Sequence, residues 1–185
     1  LLSLQSPAVM LDVVKRLHLD ISYKTDGTFY KQVLYGQSLP VNIVFFDLQD
    51  NETASLSLRF LEGDRFVLSE FTRNGEDILS DNSIEAVLQD TIQTPVGRIV
   101  ATPSPYYDTS VTDLIYISRT ALHTATEDYM KNLTVSLSDE KATVINLSFQ
   151  DVCIQRAEDV LNTLISVYNE NWVKDKNQIA VSTSM

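Results

Sequence analysis

The sequence predicts an α+β fold: a mixed or antiparallel sheet packed against helices, with a long amphipathic helix near the C-terminal end. Three observations carry this reading. Between Asp151 and Lys176, residues Val152, Ala157, Val160, Leu161, Leu164, Ile165, Tyr168 and Trp172 recur at three- and four-residue steps, the period of a helix with one apolar side. From Ala54 to Thr72, Ser55, Ser57 and Arg59 alternate with Leu56, Leu58 and Phe60, the period of a strand with one covered and one wet face. Finally, the elements run helix, strands, helix, two strands, helix, which groups the strands instead of alternating each with a crossover helix.

In order, Ser6-Pro7 opens a helix through Leu17, with Ser6 as N-cap, Pro7 in the tolerated first position and Val9, Met10, Val13, Val14 and Leu17 as its apolar side. A strand is expected around Ile21 to Tyr23, a turn at Asp26-Gly27, and a buried strand from Val41 to Asp47 after Pro40. The hairpin turns at Glu62-Gly63-Asp64 and returns through Phe66, Leu68 and Glu70. Ser83 to Leu88 is read as a short helix, and Val96 to Thr102 as a strand closed by Pro103 and Pro105. A polar loop from Ser104 to Thr112 carries Tyr106 and Tyr107 at its centre. Leu114 to Ser118 reads as a strand, Thr120 to Leu133 as a helix, and Leu133 to Leu137 and Thr143 to Phe149 as strands joined by a turn at 139–141.

In the final helix, Asp151 is placed to accept hydrogen bonds from the first-turn amides at the positive dipole end. Roughly 25 residues at 1.5 Å each make a rod of about 38 Å, on which the Val160, Leu164 and Tyr168 stripe is expected to pack. Arg156, Glu158, Asn162, Asn169 and Glu170 fall mostly on other faces. Arg156, Glu158, Asn162, Tyr168, Asn169 and Trp172 are therefore the candidate interface or packing residues.

With 185 residues, 44% of them hydrophobic, the chain can bury a real core, and one compact domain spanning 1–185 is expected. Asp and Glu number 25 against 14 Lys and Arg, and a net charge of -11 argues against nucleic acid or an anionic membrane face as partner. Cys153 is the lone cysteine, which excludes an internal disulfide and suits a small buried or half-buried apolar residue. No run reaches the roughly 18 apolar residues of a membrane span, and Leu1-Leu2-Ser3-Leu4 is too short for a signal peptide. The chain opens without an initiating Met, as expected of a segment excised from a longer protein.

Signatures of chemistry are sparse. Gly27, Gly36, Gly63, Gly75 and Gly97 stand apart, so neither a GxGxxG nor a GxxxxGK[ST] loop is present to cradle phosphates. His18 and His123 have no metal-ligand spacing, and neither lies near Cys153 in sequence as a catalytic pair would suggest. No catalytic, cofactor or metal residue is assigned. Acidic pairs such as Asp47 with Asp50, or Glu127 with Asp128, are what any chain this acidic offers. The rings of Tyr106, Tyr107, Tyr116 and Trp172 suit stacking on sugars as well as core or interface packing. Sequons at Asn51, Asn132 and Asn146 are expected by chance in this composition.

Taken together, Ser6-Pro7-Ala-Val-Met-Leu-Asp-Val-Val-Lys-Arg-Leu-His-Leu19, Leu34-Tyr-Gly36, and Ile145-Asn-Leu-Ser-Phe-Gln-Asp151 leading into Arg156-Ala157, Val160-Leu-Asn162 and Tyr168-Asn169-Glu170-Asn171 resemble the extracytoplasmic domain of the polysaccharide co-polymerases. The pattern is similar to the chain-length-determinant domain of bacterial capsular or exopolysaccharide tyrosine kinases, in the form seen in Bacteroidetes-like proteins. The resemblance covers essentially the whole chain and includes no catalytic signature. It implies a parent with two inner-membrane spans, this domain on the periplasmic side, and a cytoplasmic tyrosine kinase using ATP and Mg. It also implies a homo-oligomer that regulates the length, polymerisation and export of surface polysaccharide. The expected partners are the polysaccharide polymerase and an outer-membrane export channel, with contact to the polysaccharide itself. The family's coiled-coil hairpin would begin beyond Met185. The competing class is a stand-alone carbohydrate-binding or adhesion module that uses Tyr106, Tyr107 and Trp172 as platforms; a hydrolase using acidic pairs is a third.

Overall fold

Alternating apolar residues and three amphipathic segments resolve into twelve strands and three helices among the described residues of the computed structural model, which are 3–78, 83–110, 113–139, 141 and 144–185. In chain order they are α1 (Pro7–Leu17), β1 (Ile21–Asp26), β2 (Lys31–Leu34), β3 (Val41–Phe45), β4 (Ala54–Phe60), β5 (Arg65–Arg73), β6 (Glu76–Asp77), β7 (Ile84–Val87), β8 (Thr91–Thr94), β9 (Gly97–Pro103), β10 (Leu114–Arg119), α2 (Leu122–Lys131), β11 (Leu133–Leu137), β12 (Ile145–Phe149) and α3 (Ile154–Thr183). All pairings among the described residues are antiparallel, so the α+β class holds and the choice between a mixed and an antiparallel sheet goes to the latter. By its contacts the chain gathers into two compact units, Asp20–Ala121 and Leu1–Leu19 with Leu122–Met185.

The first unit is built of strands. A seven-stranded sheet in the order β2-β1-β10-β4-β5-β6, with β7 also on β5, accompanies a three-stranded sheet in the order β3-β9-β8. Their covered faces supply one apolar cluster that includes Leu56, Leu58, Phe60, Phe66 and Leu68 from one sheet and Val41, Ile43, Ile99 and Ala101 from the other. This is the core that the period-two patterning encodes. Between the sheets, the Tyr23 hydroxyl accepts the Ile43 amide at 2.9 Å, and burial pushes the phenol up to about 12. On the β4–β5 pairing the register shifts between Ser55 and Ser57, and Glu70 opposite takes a positive φ of 56°, a bulge whose carboxylate accepts the Ser57 hydroxyl. Gly97, at φ 94°, closes β8 onto β9 where a Cβ would sit 2.7 Å from the Asp47 Cβ, so only glycine fits.

The second unit is mostly helical. Helix α1 packs on α2 and α3, and α3 lies against β12 of the β11–β12 hairpin. Val9, Met10, Val13 and Val14 of α1 and Val160, Leu164 and Val167 of α3 are buried. Ser6 is the N-cap of α1 as expected, but its side chain makes no capping bond. His18 ends that helix in the left-handed region at φ 52°, and Leu19 N–H closes the turn on the Val14 carbonyl at 2.9 Å.

Two expectations need correction. Residues 84–87 form β7, not a short helix. Although Glu85 and Ala86 favour helices, Ile84 and Ala86 turn inward, and Glu85 reaches Arg65 across β5 at 2.7 Å. The last strand starts at Ile145; Thr143, Thr112 and part of the expected 139–141 turn lie outside the described residues.

Arg119 is a buried charge of the sheet unit. It is 7% exposed, with Nε 3.2 Å from Asp20 and Nη1 donating to the Gln49 and Glu52 carbonyls. Removing it strands an acid and two carbonyls, so Arg119→Met is expected to lower stability by about 3 kcal/mol in a urea titration, whereas exposed Arg59→Met should change it by less than about 0.5 kcal/mol.

Candidate functional site

Just before helix α3 stands an acid almost withdrawn from water. The Asp151 side chain is 4% exposed, and Arg156, at 16%, binds it bidentately through Nε at 2.6 Å and Nη2 at 2.7 Å. Asp151 also accepts the Cys153 amide at 2.9 Å. Half-buried Cys153 is the N-cap and makes no side-chain cap bond, so Asp151 does not cap the helix as expected. It stands two residues earlier, where it folds the entry turn and anchors the first helical turn through Arg156. Burial pushes the Asp151 carboxyl up, but the Arg156 hydrogen bonds and the Cys153 and Val152 amides outweigh it and hold the group below its ordinary value. Burial likewise pulls the Arg156 guanidinium down, and Asp151 more than reverses this.

The other candidate residues separate along the rod. Glu158, Asn162 and Asn169 are exposed, Tyr168 is half-buried, and Trp172 is 52% exposed with the Lys176 ammonium 4.3 Å above its ring. The packed stripe is Val160, Leu164 and Val167, at i, i+4 and i+7. Val167 was not anticipated, though its spacing from Leu164 was visible in the sequence. Val152, expected on that stripe, is instead 85% exposed in the segment leading into the helix. Glu170 pairs with Arg16 of α1, Nη1 to Oε1 at 3.0 Å, and that hydrogen bond lowers its pKa. From Asn169 onward every helical residue is exposed. Ile165, Trp172 and Ile179 follow one another at seven-residue steps and are 41%, 52% and 65% exposed. Seven residues are almost two turns, so the three share one side of the helix.

Beside the Asp151–Arg156 pair a cleft of about 480 Å³ opens, lined by Asp128, Tyr129, Asn132, Gln150, Asp151, Val152 and Arg156. Helix α2, the end of β12 and the start of α3 meet there because the Gln150 amide donates to the Asn132 carbonyl at 3.0 Å, which closes the hairpin base. The Tyr129 ring stacks on Phe149 with centroids 5.7 Å apart.

The remaining sequence candidates fall elsewhere. Tyr107 donates to the Gly63 carbonyl at 2.9 Å and packs against Phe60 at 5.4 Å, and Tyr116 donates to Asp26 at 3.0 Å under the Lys31 ammonium. Tyr106 is exposed at a cleft of about 220 Å³ shared with Gln37 and Asp113. Tyr106 and Trp172 belong to different units. Asp47 is clamped by Arg98, whose hydrogen bonds lower it to about 2, and Glu127 faces His123 at 3.2 Å. Among the described residues no three His, Cys, Asp or Glu side chains converge as metal ligands would, and no helix is long and apolar enough to cross a membrane. No protein-family model matches the chain, and no curated protein matches it.

Since Asp151 titrates lower when folded than when unfolded, its contribution is complete above about pH 4 and is lost as pH falls through its folded value. Asp151→Asn leaves the Arg156 guanidinium without a counter-charge. It is expected to lower stability by roughly 2–4 kcal/mol at pH 7 and to flatten the loss of stability in acid, read from urea midpoints over that range.

Proposed function

We propose that this chain is a periplasmic, non-catalytic assembly domain of a membrane-anchored bacterial polysaccharide co-polymerase. The observation that carries the reading is the outer half of α3: Ile165, Trp172 and Ile179 form an apolar side on a rod that is packed only along its first half. At 30 residues the helix is about 45 Å long, well beyond what its own unit covers. Large side chains held exposed at seven-residue spacing suit a helix-to-helix seam between subunits. The sequence-long resemblance to chain-length-determinant domains supports the same reading and supplies the context.

In that context the domain stands on the periplasmic side of the inner membrane, and its subunit contacts regulate the length, polymerisation and export of a capsular polysaccharide or exopolysaccharide. Its partners are further copies of itself, the polymerase and the outer-membrane export channel. ATP and Mg belong to a cytoplasmic tyrosine kinase of the parent. The role read here is mechanical: a stiff helix, seated at Asp151 and Arg156, presents its outer half to a neighbour.

The seat itself is unsuited to an interface test, because reversing buried Arg156 would unfold the root. Trp172→Asp with Ile179→Asp is the informative change. In the membrane-anchored parent it is expected to reduce the oligomer to smaller species by light scattering and to shift the length distribution of the surface polysaccharide. The stability of the 185-residue chain should meanwhile move by less than about 1 kcal/mol, as for other exposed positions. Oligomers and polymer lengths both unchanged would remove the outer half of α3 from the assembly.

A further inference from the structure

We infer that α3 pairs with α3 of a second copy in parallel and in register, so that each exposed apolar residue meets its own counterpart. The inference rests on the assembly reading and deepens it. That reading asks only that a neighbour cover the outer half, whereas the residue pattern of the helix fixes which way the neighbour points.

Seven-residue spacing sorts the exposed side of α3 into two rows. One is Ile165, Trp172 and Ile179; the other is Asn162, Asn169 and Lys176, each standing three residues before a member of the first. All six are exposed, and the buried Val160, Leu164 and Val167 point to another side of the helix. A partner laid along the two rows therefore does not compete with the packing of the helical unit.

The two rows decide the orientation. A parallel, in-register pair sets each row against itself, so Ile165, Trp172 and Ile179 close three apolar layers. Asn162 and Asn169 meet their own carboxamides, which are donor and acceptor at once, the device by which a polar residue at this heptad position specifies register. An antiparallel pair sets each row against the other. Every Asn, and Lys176 too, would then face an isoleucine or tryptophan and lose water without gaining a partner. Charge agrees with the parallel choice. The Lys176 ammonium stands 4.3 Å above the Trp172 ring, at the seam itself, so its charge has to be answered there. In the parallel pair Asp175 of each copy flanks Lys176 of the other, which offsets the repulsion of the two ammonium groups.

The test is disulfide trapping under mild oxidation in the 185-residue chain carrying Cys153→Ser, at about 1 mM because three apolar layers make a weak seam. Ile165→Cys and Ile179→Cys should each cross-link to itself, at least about tenfold faster than Lys174→Cys, which lies two residues from Trp172 and so on the opposite side of the helix. An equimolar mixture of Ile165→Cys and Ile179→Cys should give like pairs and almost no mixed ones. Asp175→Lys should slow the Ile179→Cys cross-link about 2- to 5-fold, and adding Lys176→Asp should restore it. Mixed pairs in place of like ones, or like pairs no faster than the Lys174→Cys control, overturn the inference. Mixed pairs would reverse the partner's direction and keep the seam, whereas Trp172→Asp with Ile179→Asp in the parent reads whether the outer half assembles at all, so the two failures are distinguishable.

Discussion

The helical unit depends on one ion pair in an awkward place. Burying Asp151 and Arg156 costs several kcal/mol in desolvation, and the bidentate geometry with the added Cys153 amide is what makes the arrangement tolerable. In return the pair fixes where α3 starts and against which strand it lies, since its acid sits two residues after β12 and its base in the first turn of the helix. The cleft exists because those two points are held together. Without that root the Val160, Leu164 and Val167 stripe would still be apolar, but nothing at the N-terminal end would set its register against α1.

Beyond the root, the physics of α3 changes along its length. The first half follows the usual rule for a surface helix, with a narrow apolar stripe covered by its neighbours and Arg16 of α1 reaching Glu170 where the cover ends. The second half has no such cover, yet it keeps helical geometry over more than three further turns and keeps Trp172, Val173, Ile179 and Val181 facing solvent. Isolated helices of that length are marginal in water. A rigid first half nucleates the second and holds it out with Trp172, Val173, Ile179 and Val181 uncovered.

Much of this was legible in the sequence, and the failures have physical causes. The hairpin, read from Ala54 to Thr72 with its turn at Glu62-Gly63-Asp64, forms as Ala54–Phe60 and Arg65–Arg73, because alternation marks the covered faces and Gly63, at φ 71°, supplies the turn. Helix α1 was equally plain between Pro7 and Leu17. Residues 84–87 were misread because four residues carry too little pattern, and pairing with β5 decided their state. The extension of α3 to Thr183 was missed although no Gly or Pro stops it, and its apolar period could not say that Trp172 would find no cover. The cleft was invisible because 128–132, 150–152 and 156 look unrelated until the β11–β12 hairpin folds them together. Arg156 was visible as a candidate; that it would be bound to Asp151, and so unavailable as a surface charge, was not.

The central claim is that α3 is anchored at its root and left open beyond Tyr168 for a neighbour to cover. Amide hydrogen exchange measured along the helix, in the 185-residue chain and again in the proposed membrane-anchored oligomer, tests it most directly. The account predicts strong protection at 158–168 in both, and rapid exchange at 172–183 that slows by at least about tenfold on assembly. Equal protection of the two halves in the isolated chain, or an outer half that exchanges just as fast in the assembly, would contradict it.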